Sequence, residues 1–151
     1  MRIGVISDTH GLLRPEAIEA LTGVEHILHA GDVGGIEILD RLRAIAPVTA
    51  IRGNVDGFGP CSELPEIEVV EMGGFSFYML HDLQTLDLDP IAAGMAGVIY
   101  GHSHQPKIEE HNGVLYFNPG SAGPKRFSLP VSLGFLEIAD GKATATLNEL
   151  L

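Results

Sequence analysis

The sequence predicts an α/β fold in which two mixed sheets pack together with helices outside. Two observations predict it. Short β-branched runs alternate with helical patterns through the first half of the chain, as in βαβ units. Three turn signals, Gly73-Gly74, Asn112-Gly113 and Asp140-Gly141, divide the second half into hairpins.

Taken in order, Arg2 to Ile6 reads as a strand, and Pro15 opens a short helix to about Leu21, proline being well suited to a first helical position. His26 to Ala30 is a second strand. From Gly35 to Ala46 the apolar residues Ile36, Leu39, Leu42 and Ile45 recur three apart, so this helix covers the sheet and Pro47 stops it. Val48 to Arg52 is a third strand. The hairpins then pair residues 67–72 with 75–80, 107–111 with 114–118, and 131–139 with 142–147. Between the first two, Asp89-Pro90 reads as the N-cap and first turn of a short helix, followed by a strand from Gly97 to Tyr100.

A chain of 151 residues, 45% hydrophobic and without repeats, linkers or biased tracts, is expected to form one domain spanning 1–151. The apolar run at Met1 to Ser7 is too short for a signal sequence, and no stretch approaches the roughly 20 apolar residues of a membrane span. Cys61 is the lone cysteine and cannot form an intramolecular disulfide. A cytoplasmic protein with no membrane partner is the expectation. The net charge of −11 and the lack of a basic cluster argue against extended nucleic acid as a partner. An acidic protein acting on an anion needs local positive charge, which divalent cations would supply.

Ligands of open α/β sheets bind beyond the carboxyl ends of the strands. Asp8 and His10 follow the first strand, Asp32 the second, Asn54 the third, His81 the strand ending at Leu80, and His102 with His104 the strand ending at Tyr100. The spacing of two in Asp8/His10 and His102/His104 puts both members of each pair on one side if the backbone is extended. One histidine after a strand is ordinarily a satisfied polar residue, and one aspartate an N-cap. Clustering all seven at one sheet edge would be costly without cations, so a metal site is expected. Donors of nitrogen and oxygen without thiolate suit manganese, with nickel, zinc, iron, cobalt or magnesium as further candidates.

Asp8-Thr9-His10, Gly31-Asp32, Gly53-Asn54-Val55-Asp56, His81 and Gly101-His102-Ser103-His104 follow the order and rough spacing of the calcineurin-like metallophosphoesterases. The small size, the Gly-Asn-x-Asp motif and the later Asn118-Pro119-Gly120-Ser121 segment most resemble the compact YfcE-type phosphodiesterase branch. The resemblance implies a four-layer α/β/β/α sandwich and two divalent metal ions. Asp8, His10 and His104 would hold one, Asn54, His81 and His102 the other, with Asp32 shared. It also implies in-line attack on phosphorus by a hydroxide between the metals, on a small phosphodiester, with Asp32 and Asn54 catalytic. Asn54 and Asn118 would meet the substrate, whereas Asn118-Pro119-Gly120 read by itself is a turn.

Two departures qualify the resemblance. Val55 stands where many members of the superfamily carry a proton-donating histidine, so good leaving groups or a self-supplied proton are expected. Asp82 follows His81 where the branch usually has glycine, and a carboxylate there repels phosphate unless it meets a cationic group. As a turn residue it would need no further role. Asp56 is expected either to orient a ligand histidine or to serve a turn. Lys125 and Arg126 form the only adjacent basic pair and are expected at the solvated surface, where one would meet phosphate in a functional reading. His29 is expected to be a strand residue, and Phe58, Phe127 and Leu129 to pack. The competing readings are a phosphomonoesterase and a non-catalytic protein-binding scaffold, as in the retromer subunit that resembles this family. A homodimer would be unsurprising.

Overall fold

A computed structural model describes residues 1–151. The strands are β1 (Arg2–Ile6), β2 (His26–His29), β3 (Val48–Ala50), β4 (Ile67–Met72), β5 (Phe75–Leu80), β6 (Gly97–Ile99), β7 (Lys107–His111), β8 (Val114–Asn118), β9 (Ser132–Ala139) and β10 (Lys142–Glu149). Two α-helices, α1 (Pro15–Leu21) and α2 (Ile36–Arg43), link the first three strands. One sheet has the order β10-β9-β1-β2-β3 and the other β4-β5-β6-β8-β7.

Each sheet is parallel at its centre and antiparallel at its edges. β1, β2 and β3 run parallel, as do β5, β6 and β8, while β9 pairs antiparallel with both β1 and β10. The three predicted hairpins form with two-residue turns. Both central residues of each turn have positive φ, the signature that lets the turn follow the twist of its strands.

Alternation along the strands sorts side chains into layers. Ile3 and Val5 of β1, Leu28 of β2 and Leu136 and Ile138 of β9 meet Phe77, Met79, Ile99 and Phe117 in the core between the sheets. On the other face of the first sheet, Ile6 and Ile27 pack under Ala17 and Leu21 of α1 and Ile38, Leu39 and Leu42 of α2. Cys61 is buried in that same core as a small apolar residue. The predicted sandwich is therefore present.

The outermost layer over the second sheet is not α-helical. There Leu83, Leu86, Leu88 and Met95 cover Tyr78, Val98 and Tyr100 from a 3₁₀ turn (Leu83–Thr85) and a loop. The helix expected after Asp89-Pro90 is a single turn. Asp89 does cap it, its Oδ1 accepting from the Ile91 and Ala92 amides at 3.1 and 3.4 Å. Gly94, at φ 75°, then turns the chain into left-handed backbone before a second helical turn forms. No helix is long and apolar enough to cross a membrane.

Candidate metal centre

The topology delivers the carboxyl ends of β1, β2 and β3 and those of β5, β6 and β8 to one edge of the sandwich. Of the seven expected ligands, the structure brings five into one cluster: Asp8, His10, Asp32, His81 and His104. Candidate donor atoms of Asp8, His10 and His104 lie within 4.8 Å of one another, and so do those of Asp8, Asp32 and His81. Asp32 Oδ2 stands 3.5 Å from His10 Nε2 and 3.1 Å from His81 Nε2, so this carboxylate faces both groups. Asp8 Oδ1 is 3.7 Å from His10 Nε2, 3.7 Å from His81 Nε2 and 3.5 Å from His104 Nε2. His10 and His104 converge with their Nε2 atoms 3.2 Å apart.

Asn54 and His102 lie at the rim. Asn54 is exposed and shares a cavity wall with His81. His102 sets its ring edge-on to His81 at 5.3 Å and turns Nε2 to within 3.8 Å of Asp82 Oδ2.

The loops are held by their own hydrogen bonds. The chain after β1 runs beside the chain after β2, with the Asp8, His10 and Gly11 amides donating to the carbonyls of Gly31, Asp32 and Val33. Asp8 Oδ2 accepts from Ser7 Oγ at 2.8 Å and from the His102 amide at 3.2 Å, tying the two sheets together at the site. Ser121 Oγ donates to the Asp8 carbonyl at 3.0 Å. Asp32 Oδ1 accepts from the Val55 amide at 2.9 Å. Val55 thus serves through its backbone, while its side chain is exposed and offers no proton. His81 Nδ1 donates to the Ala30 carbonyl at 2.7 Å, which fixes the ring and leaves Nε2 directed at the carboxylates.

Five of the seven expected ligands, Asp8, His10, Asp32, His102 and His104, have positive φ. The extended backbone inferred from the spacing of two is therefore corrected: alternate residues are left-handed, and a Ser103 amide bond to the Gly101 carbonyl closes a tight turn around His102. Non-glycine residues held in this region store strain of about 1–3 kcal/mol each, and such residues gather at functional sites.

The structure also places Asn118, Asp56, Phe58 and Phe127, and corrects the packing expected of the last two. Asn118, expected to meet the substrate, is fully buried and its amide is engaged internally. Its Nδ2 donates to the Gly101 carbonyl and Ser103 Oγ, both at 3.1 Å, and its Oδ1 accepts from the Gly120 amide at 2.9 Å. It pins the loop that carries His102 and His104. Of its two expected roles Asp56 takes the turn: its carboxylate accepts from the amides of Val33, Gly34 and Gly53, each at 3.0 Å, which caps the 3₁₀ turn of Asn54–Asp56 and clamps the loop after β2 to the loop after β3. Phe58 and Phe127 do not pack, being 93% and 91% exposed.

The sequence alone carried no signal for Ser7 and Ser121 as supports of Asp8. Of the basic pair, Lys125 binds the Leu129 carbonyl, whereas the field of Arg126 reaches both His10 and His104.

Protonation follows from this geometry. Burial works to raise the Asp32 pKa, but contact with His81, the Val55 amide bond and the charges of His81 and His10 outweigh it and bring it down to about 2. Burial opposes a charged His81, and the Asp32 and Asp8 carboxylates together with the Ala30 carbonyl overcome it and raise its pKa. His10 is raised chiefly by its contact with Asp8. His29 is wholly buried, and burial pushes it down to about 4. Its Nδ1 accepts from the Gly31 amide. Thr9 Oγ1 donates to the Val33 carbonyl, so His29 Nε2 must donate to Thr9 and the ring is a neutral strand residue.

Buried Asp8 Oδ1, His81 Nε2 and His104 Nδ1 have no hydrogen-bond partner. Leaving such atoms unpaired costs about 1–3 kcal/mol each. Two of the three, Asp8 Oδ1 and His81 Nε2, face each other across the cluster. A carboxylate oxygen and an imidazole lone pair so placed suit a cation, and the donor set fits the metals that the sequence resemblance implies.

The layered sheets and their carboxylate–imidazole edge define a phosphoesterase-type α/β sandwich. Residues 1–141 match the calcineurin-like phosphoesterase superfamily domain, and the chain belongs to that superfamily. A relative from Methanothermobacter thermautotrophicus named "Probable metallophosphoesterase" is 41% identical over 86% of this chain and 82% of its own. A phosphodiesterase of Methanocaldococcus jannaschii is 29% identical over 91% of this chain and 93% of its own. Among solved structures, an archaeal phosphodiesterase is 26% identical with a TM-score of 0.80, covering 98% of this chain and 100% of that one. Wild-type Vps29 of Entamoeba histolytica complexed with zinc is 23% identical over the whole of both chains, with a TM-score of 0.77, and shares the fold.

Proposed function

We propose that the chain is a phosphodiesterase that hydrolyses one P–O bond of a small phosphodiester with two divalent cations, manganese first among them. The carrying observation is the position of Asp32 between His10 and His81, beside the unpartnered atoms of Asp8 and His81. In this reading Asp8, His10 and His104 hold one cation and Asn54, His81 and His102 the other, with Asp32 shared. The cations supply Lewis acidity toward phosphoryl oxygen and make water a stronger nucleophile.

The residues of the chain set the rest. Asp32 stays ionised across the physiological range and can share its charge between both halves of the site. The Ala30 carbonyl holds His81 in the tautomer whose Nε2 lone pair faces inward. Asn54, exposed on the adjoining cavity wall, is available to a phosphate oxygen. Val55 brings no proton to the leaving oxygen, which favours alcohols that leave readily. The relatives named as phosphodiesterases support the diester over the monoester.

A protein-binding scaffold is the second reading, favoured by fold likeness to Vps29, one example of which, from Chaetomium thermophilum, is complexed with a cyclic peptide. One experiment separates the readings. Metal-stripped protein is assayed with bis(4-nitrophenyl) phosphate and 4-nitrophenyl phosphate as single cations are restored, with Asp32→Ala and His104→Ala as controls. Restored diester cleavage that both substitutions abolish is the expected result. Faster monoester cleavage would make the protein a phosphomonoesterase, and folded protein inactive with every cation would turn the assignment to the scaffold.

A further inference from the structure

A cavity of about 370 Å³ opens beside His81 and runs from the candidate metal centre toward β4. Its volume lies at the small end of the range for ligand pockets and has room for one arm of a small ester. Its wall is apolar only at Ile67 and Leu80, too little to recognise an aromatic or acyl group. Three charged side chains, Arg52, Glu66 and Asp82, line it instead.

Two of these charges answer each other. Arg52 Nη2 binds Glu66 Oε1 at 2.7 Å, and its Nη1 donates to the Ser62 carbonyl at 3.0 Å. Asp82 is left over. Its Oδ1 caps the following 3₁₀ turn by accepting from the Gln84 amide at 3.0 Å. Its Oδ2 makes no hydrogen bond and stands 3.8 Å from His102 Nε2, beyond hydrogen-bond reach. The inner end of the cavity is marked by His81, only 6% exposed, whose Nε2 faces Asp32 Oδ2 at 3.1 Å.

We propose that this cavity receives one organic arm of the substrate and that Asp82 selects an arm carrying a primary ammonium, as in a phosphate ester of a short amino alcohol. The inference rests on the phosphoesterase reading and adds the substrate class. A phosphate anchored at the metal centre would direct its alkyl arm along the wall, where an ammonium meets Asp82 Oδ2. An anionic arm would meet the same carboxylate as a like charge. Oδ1 serves the turn and Oδ2 the arm: a carboxylate unfavourable for phosphate is favourable for a cationic group attached to it.

The test is calorimetric binding of 2-aminoethyl phosphate, propyl phosphate and phosphoglycolate to the manganese-loaded protein. The first two have arms of similar size and differ in charge. The expected order is aminoethyl tightest and phosphoglycolate weakest, with a gap of about tenfold between the first two, about 1.4 kcal/mol. Asp82→Asn keeps the Oδ1 acceptor that caps the turn, and should bring the aminoethyl-to-propyl ratio close to one. Equal binding of the two by the unaltered protein, or a ratio unchanged in Asp82→Asn, would overturn the assignment while leaving the phosphoesterase reading intact. Binding of none of the three by folded, metal-loaded protein that still cleaves bis(4-nitrophenyl) phosphate would overturn the assignment alone, and without that cleavage both readings fall.

Discussion

His81 and Asp32 meet across the sandwich: Nε2 of a residue that follows a strand of one sheet lies 3.1 Å from Oδ2 of a residue that follows a strand of the other. The site therefore exists only while the two sheets keep their spacing. Gly31 stands behind this contact. A Cβ there would come within 2.7 Å of His81 Nδ1, the atom bonded to Ala30, and the backbone has φ 99°.

Gly31→Ala should accordingly lower stability by about 2–4 kcal/mol, combining backbone strain with crowding of the His81 ring. Urea denaturation of the metal-free protein gives the number. A loss below about 1 kcal/mol would mean that the ring moves freely, and that its fixed direction is not built into the fold.

Asp56→Asn replaces a carboxylate that accepts three amide hydrogen bonds with an amide offering one oxygen. At least one of the Val33, Gly34 and Gly53 amides then faces an NH₂ group. The expected loss is about 2–3 kcal/mol, accompanied by weaker cation binding, because the clamped loops carry Asp32 and Asn54. Chemical denaturation and metal titration measure the two effects on one sample.

Asn118→Ala distinguishes a residue that positions the ligand loop from one that binds substrate. Freed from the amide, the loop of His102 and His104 should hold cations about 10–100-fold less tightly, as for other groups that orient ligands. With saturating cation the KM for a diester should return close to that of the unaltered protein. A KM that stays high at saturating cation would reinstate Asn118 as a substrate contact.

His29 gives a pH prediction. Its pKa is about 4 in the folded protein, below the ordinary 6.5, so the unfolded chain binds the extra proton first as pH falls. Its contribution to stability is complete above pH 6.5 and is lost progressively as pH drops toward 4, for a total of roughly 3 kcal/mol. His29→Gln should flatten the stability profile of the metal-free protein over that interval. An unchanged slope would show that His29 already carries a proton when folded.

Much of this was legible because local patterns and global packing agree. Alternating apolar residues, Pro15 and the three glycine-containing turns mark elements whose edges need no distant partner to define them. The candidate site was legible for a related reason: each expected ligand follows a strand, and parallel strands bring those ends together. What escaped were facts set by partners far along the chain. Asn118 reads as a turn residue or a substrate contact until Gly101 and Ser103 are found beneath it. Asp56 reads as a support for a ligand histidine or as a turn residue, and its clamp across two loops is invisible until the amides of Val33 and Gly34 appear. The spacing of His102 and His104 predicts one shared side, yet His104 joins the cluster and His102 turns to the rim, since both positions have left-handed backbone that spacing does not reveal. Gly94 ended the Asp89 helix because one glycine outweighed a good cap.

The bond from the His102 amide to Asp8 Oδ2 has a consequence for the mechanics of the molecule. With Asp32 facing His10 on its own sheet and His81 on the other, an ion bound between them would act as a cross-brace. Loading should then slow amide hydrogen exchange at the ends of β1, β2, β5 and β6 together, although these strands share no ladder across the sandwich. Removing the ion would let the two halves breathe separately, first at this edge.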